Sequence, residues 1–156
     1  MNSEIKFLVE GEKIGHSEQA FIVAEVSSNH NNNLERTKEI IDGIAKTSAK
    51  GIKFQTYKPE SLIVNSNKPY ILPDNNEWAG EDLSELYKKG SLPYEWHKEL
   101  FDYCYEKGLI PFSSVFDNEG LDLVMSLNVK ILKIAFVIIT IPFHQFSVSS
   151  MSVKYF

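Results

Sequence analysis

Four short apolar runs, each closing on polar or charged residues, set the frame for this chain: residues 20–26, 51–55, 109–113 and 131–135. The first, from Ala20 to Val26, is apolar without alternation until Glu25. Such a run reads as a strand buried on both faces, as in a parallel sheet. Helical spacing separates the runs. Leu34, Ile41, Ile44 and Ala45 share one helix face with Ile40 beside them, Asn33 is placed to cap, and Glu35 suits the first turn. Strand, helix and strand then follow within about 35 residues, which is a βαβ unit. A second helix opens at Pro93, buries Trp96, Leu100, Phe101 and Cys104, and ends at Gly108. A third is capped by Asp117 and runs to Leu127. Residues 57–92 read as loop, with a short helix within 78–89, and residues 5–9 and 12–15 as a hairpin around Glu10-Gly11-Glu12.

The order β-α-β-(loop, α)-β-α-β with right-handed crossovers predicts a parallel sheet whose polar strand ends gather at one rim. That C-terminal rim is where sites form in barrels and in open α/β sheets. The chain has 156 residues, whereas a closed (β/α)8 barrel takes about 250.

Composition excludes several classes of function. The formal net charge is -5, so there is no electrostatic case for nucleic acid. No run approaches the roughly 20 apolar residues of a membrane span. Glu4, Lys6 and Glu10 break any signal-peptide core. The single cysteine, Cys104, fits a reduced, cytoplasmic setting and a place in the core. His16, His30, His97 and His144 show no metal-ligand spacing, so no metal ligand is read from the chain. His97, on a helix, is expected to pack or face solvent away from the strand ends.

Four constellations could carry chemistry. Glu25, followed by Ser27, Ser28, Asn29 and His30, stands at the end of the first strand, where a carboxylate orients hydroxyls or moves protons. A solvated loop with capping asparagines is the plain alternative. Lys53 and Gln55 share one face of the second strand, opposite Phe54. A lysine on a buried face is costly unless it meets an anion; at an open-sheet edge it would simply be solvated. Ser113 and Ser114 at the end of the third strand offer hydroxyl and N–H donors to phosphate oxygens. Lys133 interrupts the fourth apolar strand and repeats the argument made for Lys53. Together they suggest a cationic, hydroxyl-lined pocket for a small phosphorylated or carboxylated substrate.

Ala24-Glu25-Val26-Ser27-Ser28-Asn29-His30, Lys53-Phe54-Gln55-Thr56-Tyr57, Ser113-Ser114-Val115-Phe116 and Lys133-Ile134-Ala135 resemble, in order and spacing, the successive strand-end motifs of the sialic acid synthase family. The resemblance covers residues 17–135. Leu86-Tyr87 and Pro93-Tyr94-Glu95-Trp96-His97 look most like its pseudaminic acid synthase branch. It implies the N-terminal half of a (β/α)8 (TIM) barrel, about four βα units. It also implies an enzyme that condenses phosphoenolpyruvate with the open aldehyde form of an acetamido sugar, releasing phosphate and a nonulosonic acid. By similarity Glu25 is the catalytic carboxylate, Lys53 and Gln55 lie near the sugar and the enolpyruvate, and Ser114 and Lys133 hold phosphate. Ser113, Asn29 and His30 complete the substrate-binding set. The family implies a divalent metal, manganese or magnesium, as Lewis acid, held by histidines on strands beyond this chain. It also implies a homodimer.

There are departures. Val115 stands where the family commonly has proline, and Ser48 where it has glycine. After Ala135, Phe136-Val137-Ile138 replace the family's serine and following glutamate. Residues 136–156 carry one charge, Lys154, against 36 in the first 135. The expected organisation is therefore a hairpin at 1–16, a partial barrel at 17–135 and an atypical tail at 136–156 outside the barrel plan, as from a shifted reading frame. Such a chain would be truncated and inactive alone. The other readings are an N-acetylneuraminate or legionaminic acid synthase and, in another class, a non-catalytic phosphosugar-binding fragment.

Overall fold

A computed structural model describes residues 6–16, 18–63, 68–75, 77–134 and 154–155. Strands β1 (Lys6–Val9) and β2 (Glu12–Gly15) pair antiparallel around Glu10 and Gly11, both at positive φ. The main sheet is parallel throughout. Its order is β3 (Val23–Glu25), β4 (Gly51–Thr56), β5 (Ile110–Val115), β6 (Ile131–Ile134) and β7 (Lys154–Tyr155). Between the strands come α1 (Leu34–Ala45), α2 (Pro59–Leu62), α3 (Leu83–Gly90), a 3-10 turn at 94–96, α4 (His97–Glu106) and α5 (Asn118–Ser126). The four expected strands are thus parallel and adjacent in sequence order.

Local chemistry sets the boundaries. The side chains of Asn33, Asp82 and Asp117 each accept a hydrogen bond from a backbone N–H in the first turn of α1, α3 and α5. Gly108, at φ +74, ends α4 as the sequence predicts. Pro93 precedes a 3-10 turn, and α4 proper begins at His97.

The two faces of the sheet differ. Ile52, Phe54, Val115 and Leu132 point to the helices, where Ile41, Leu100, Phe101, Cys104 and Val124 close a core. Phe54 stacks on Phe101 with ring centroids 5.4 Å apart. The other face, inner in a barrel, is apolar at its N-terminal end. There Val9 of the hairpin, Ile110, Phe112 and Ile131 pack with Ile14 and Phe21. The hairpin therefore plugs one end of the inner face and leaves the other to polar residues.

Two expectations are corrected. The first strand reads as buried on both faces, yet Ile22 and Val23 are 47% and 38% exposed. Here β3 is the edge of the described sheet; the Ile22 carbonyl accepts from the Lys50 and Gly51 N–H groups, and the Val26 N–H donates to the Lys53 carbonyl. The tail was expected to take no part in the sheet, but Lys154–Tyr155 lies parallel beside β6. Residues 135–153 and 156, the rest of that tail included, fall outside the described residues. Among the described residues, no helix is long and apolar enough to cross a membrane.

Candidate active site

Parallel register sorts the strand-end residues by face. Glu25 pairs with Lys53, Gln55 with Ser114, and Ser114 with Lys133. Paired positions in neighbouring strands project to the same side. Glu25, Lys53, Gln55, Ser114 and Lys133 therefore share the inner face, at the C-terminal end that the hairpin leaves open. Lys53 Nζ lies 2.6 Å from Glu25 Oε1 and 3.5 Å from Ser114 Oγ. Gln55 Nε2 donates to the same Glu25 oxygen at 3.4 Å. The Lys53 side chain is 15% exposed and that of Glu25 46%, so the carboxylate stands at the mouth and the cation beneath it. Two lysines against one carboxylate leave this rim with an excess of positive charge.

The other expected members are placed elsewhere. Ser113 is fully buried and faces the helices, because adjacent residues of a strand point to opposite sides. Its hydroxyl lies 2.6 Å from Thr56 Oγ1. His30 does not face the rim. Its ring is buried, Nδ1 accepts from the Asn32 N–H at 3.1 Å, and Nε2 donates to the Gly90 carbonyl at 3.2 Å. One ring nitrogen is committed to the turn after β3 and the other to the end of α3. Asn29 donates its side-chain amide to the Val26 carbonyl, and its own carbonyl accepts from Arg36 Nε at 2.7 Å. It shapes the turn and leaves the inner face to its neighbours.

Sequence reasoning missed how that turn is held. Ser28 Oγ also donates to the Gly90 carbonyl, and Tyr57 OH donates to that of Tyr87. The end of α3 is thereby clamped over the ends of β3 and β4. A Cβ on Gly90 would come within 2.7 Å of Ser28 Oγ and 3.1 Å of Tyr57 OH. Gly90→Ala is expected to lower stability by about 1–3 kcal/mol, read as a drop in the urea midpoint. An unchanged midpoint would show that the clamp gives way freely.

His97, expected away from the strand ends, is fully buried beside Thr56, with Nε2 2.8 Å from its hydroxyl. Burial holds both His30 and His97 below the ordinary imidazole value of 6.5 against the raising effect of their backbone partners. Unfolding frees these rings to take up protons near 6.5, whereas the folded chain takes them up only at lower pH. Stability is thus full above 6.5 and falls as pH drops below it toward the folded-state values. Urea unfolding followed from about pH 8 to about pH 5 should show a midpoint that declines below 6.5. A flat profile there would mean that these rings are not buried neutral.

Among the described residues, no group of three or more His, Cys, Asp or Glu side chains is disposed to hold a metal ion. The donors at this rim, one carboxylate already paired with a lysine, do not fit a divalent metal centre.

The fold and rim define half of a (β/α) barrel with a cation-rich polar end. A model of the NeuB family matches residues 40–143, well over half of the chain and reaching into the weakly charged tail. The chain belongs to the NeuB family. Pseudaminic acid synthase of Helicobacter pylori is 42% identical over 114 residues, 73% of this chain and 34% of that protein. N,N'-diacetyllegionaminic acid synthase of Legionella pneumophila is 32% identical over 120 residues, 77% and 34% of the two chains. The structure of N-acetylneuraminic acid synthetase from Leptospira borgpetersenii, in complex with citrate, matches with a TM-score of 0.67 at 27% identity, over 84% of this chain and 41% of that one. The chain spans about a third of the length of the curated relatives it matches.

Proposed function

We propose that this chain supplies the phosphoenolpyruvate-binding half of a nonulosonic acid synthase that joins phosphoenolpyruvate to the open-chain aldehyde of an acetamido sugar and releases phosphate. The observation that carries the reading is the inner-face cluster at the C-terminal rim. Phosphoenolpyruvate bears a phosphate and a carboxylate, and both need cations in a partly desolvated place. Lys53 and Lys133 supply them, and Ser114 adds a hydroxyl for a phosphate oxygen. Glu25, accepting from Lys53 and Gln55, partly neutralises Lys53 until the anion arrives and is the group available to hydroxyls of an incoming sugar. The higher identity to a pseudaminic acid synthase than to a legionaminic acid synthase favours pseudaminic acid as product.

In the whole enzyme, the divalent metal would be held by residues beyond those described here. A homodimer and a cytoplasmic setting belong to the same reading. The 156 residues alone are expected to bind without turning over, since the described sheet is open and includes no ligand set for the Lewis acid.

The test has two arms. Calorimetric titration should show phosphoenolpyruvate binding that Lys53→Ala removes; a chain with no affinity for it would sink the reading. A phosphate-release assay with acetamido sugars and manganese should stay silent. Release that Lys53→Ala abolishes would overturn inactivity of the chain alone and show it to be a working synthase.

A further inference from the structure

On the helix side of the rim, Thr56, Ser113 and His97 lie fully buried. They stand against an apolar layer that includes Phe54 and Phe101, and the His97 ring sits 6.0 Å from that of Phe101. Ser113 Oγ is 2.6 Å from Thr56 Oγ1, which is 2.8 Å from His97 Nε2. His97 Nδ1 is 3.0 Å from the Pro93 carbonyl oxygen. At the other end, Ser113 Oγ also lies 3.2 Å from the Ser114 carbonyl oxygen.

Elementary donor rules give this chain a direction. The Pro93 carbonyl only accepts, so Nδ1 carries the proton and Nε2 is an acceptor. Thr56 then donates to Nε2, and its oxygen accepts from Ser113, whose one proton goes mainly to Thr56 at 2.6 Å and only secondarily toward the Ser114 carbonyl at 3.2 Å. Each link depends on the one before it, and an unpartnered hydroxyl in this layer is costly, so the three side chains hold as a unit. Apolar packing by Phe54 and Val115 already joins the strands to the helices. The relay adds a fixed position. Thr56 is the last residue of β4 and follows Gln55; Ser113 precedes Ser114; and Gln55 and Ser114 are register partners. The relay thus ties the strand ends where the hydrogen-bond ladder runs out, directly behind two inner-face side chains.

We propose that His97, Thr56 and Ser113 form a positioning relay that fixes the ends of β4 and β5 and thereby sets the aim of Gln55 and Ser114 into the anion site. The proposal rests on the reading of that site as the phosphoenolpyruvate pocket. None of the three is a catalytic residue, since none faces the inner side.

The experiment compares the full chain with Thr56→Val, which keeps the shape and removes the donor, with Thr56→Ser, which keeps the donor, and with Ser113→Ala. Nitrogen-15 NMR reports the His97 ring and the Gln55 and Ser114 amides; calorimetry reports phosphoenolpyruvate affinity. In Thr56→Val the Nε2 resonance should move to that of an unbonded nitrogen and both amides should shift. The dissociation constant should rise about tenfold, the usual effect of losing an outer-layer partner. Thr56→Ser should restore all three signals. Ser113→Ala, which deletes only the terminal donor, should shift the Ser114 amide and weaken binding, and it carries the comparison if Thr56→Val fails to fold. Variants that lose stability while amides and affinity stay put would overturn the proposal, leaving the relay a purely structural feature. If the unsubstituted chain binds no phosphoenolpyruvate but the amides move as described, the positioning stands and the substrate reading alone fails.

Discussion

Replacing Lys53 by alanine is expected to weaken phosphoenolpyruvate binding about a hundredfold, the loss of one charge-assisted contact in a partly desolvated site, while the chain stays folded. The ammonium sits beneath the mouth and reaches both Glu25 and Ser114. Its removal deletes the cation at the centre of the cluster. Folding should barely notice, because the Glu25 partner is 46% exposed and ion pairs with that much water contribute about 0–1 kcal/mol. Calorimetry and urea unfolding of the same sample separate the two effects. Glu25→Gln should act in the opposite sense on the anion: with the carboxylate gone, Lys53 is no longer partly neutralised, and phosphoenolpyruvate should bind more tightly. Weaker binding in Glu25→Gln would mean that the carboxylate holds Lys53 in place more than it competes with the ligand.

The largest stability effect is expected at Phe101. Its ring is 1% exposed, stacks on Phe54 at 5.4 Å and lies against His97 at 6.0 Å. Phe101→Ala should cost about 3–5 kcal/mol through lost burial and the cavity left behind, a large part of the 5–15 kcal/mol that holds a typical domain. The same cavity would free the His97 ring, so the variant should unfold at lower urea and also bind phosphoenolpyruvate more weakly just below its unfolding transition. A loss under about 1 kcal/mol would show that the helix layer is not the closed core described.

The shared face of the candidate residues is legible because strand parity is a short-range rule. Lys53 and Gln55 are two apart in an apolar strand, so they share a face. Lys133 interrupts β6 in the same way. Parity alone does not say which face is inner, and the Ser113-Ser114 pair shows the limit. Both neighbours of each serine are compatible with burial, and only the Gln55–Ser114 register places one hydroxyl inside and the other toward the helices. The place of His30 is hidden for a different reason. Its partner, the Gly90 carbonyl, lies 60 residues away, and no local pattern announces a contact of that range. The pairing of Lys154–Tyr155 is hidden because composition says nothing about two residues pairing at an edge. His97 could have been found. A helix that follows a strand in a βα unit begins at the strand's C-terminal end, so the first residue of α4 belongs beside the last residue of β4, Thr56.

A synthase half of this kind must bind phosphoenolpyruvate at the C-terminal end of the inner face. Backbone amide shifts recorded while phosphoenolpyruvate is added to the full chain test it directly. The expected result is a set of saturable shifts at Lys53, Gln55, Ser114 and Lys133, with the plugged end around Val9, Ile110 and Ile131 unmoved. Shifts centred on the hairpin end, or none at any residue, would contradict it.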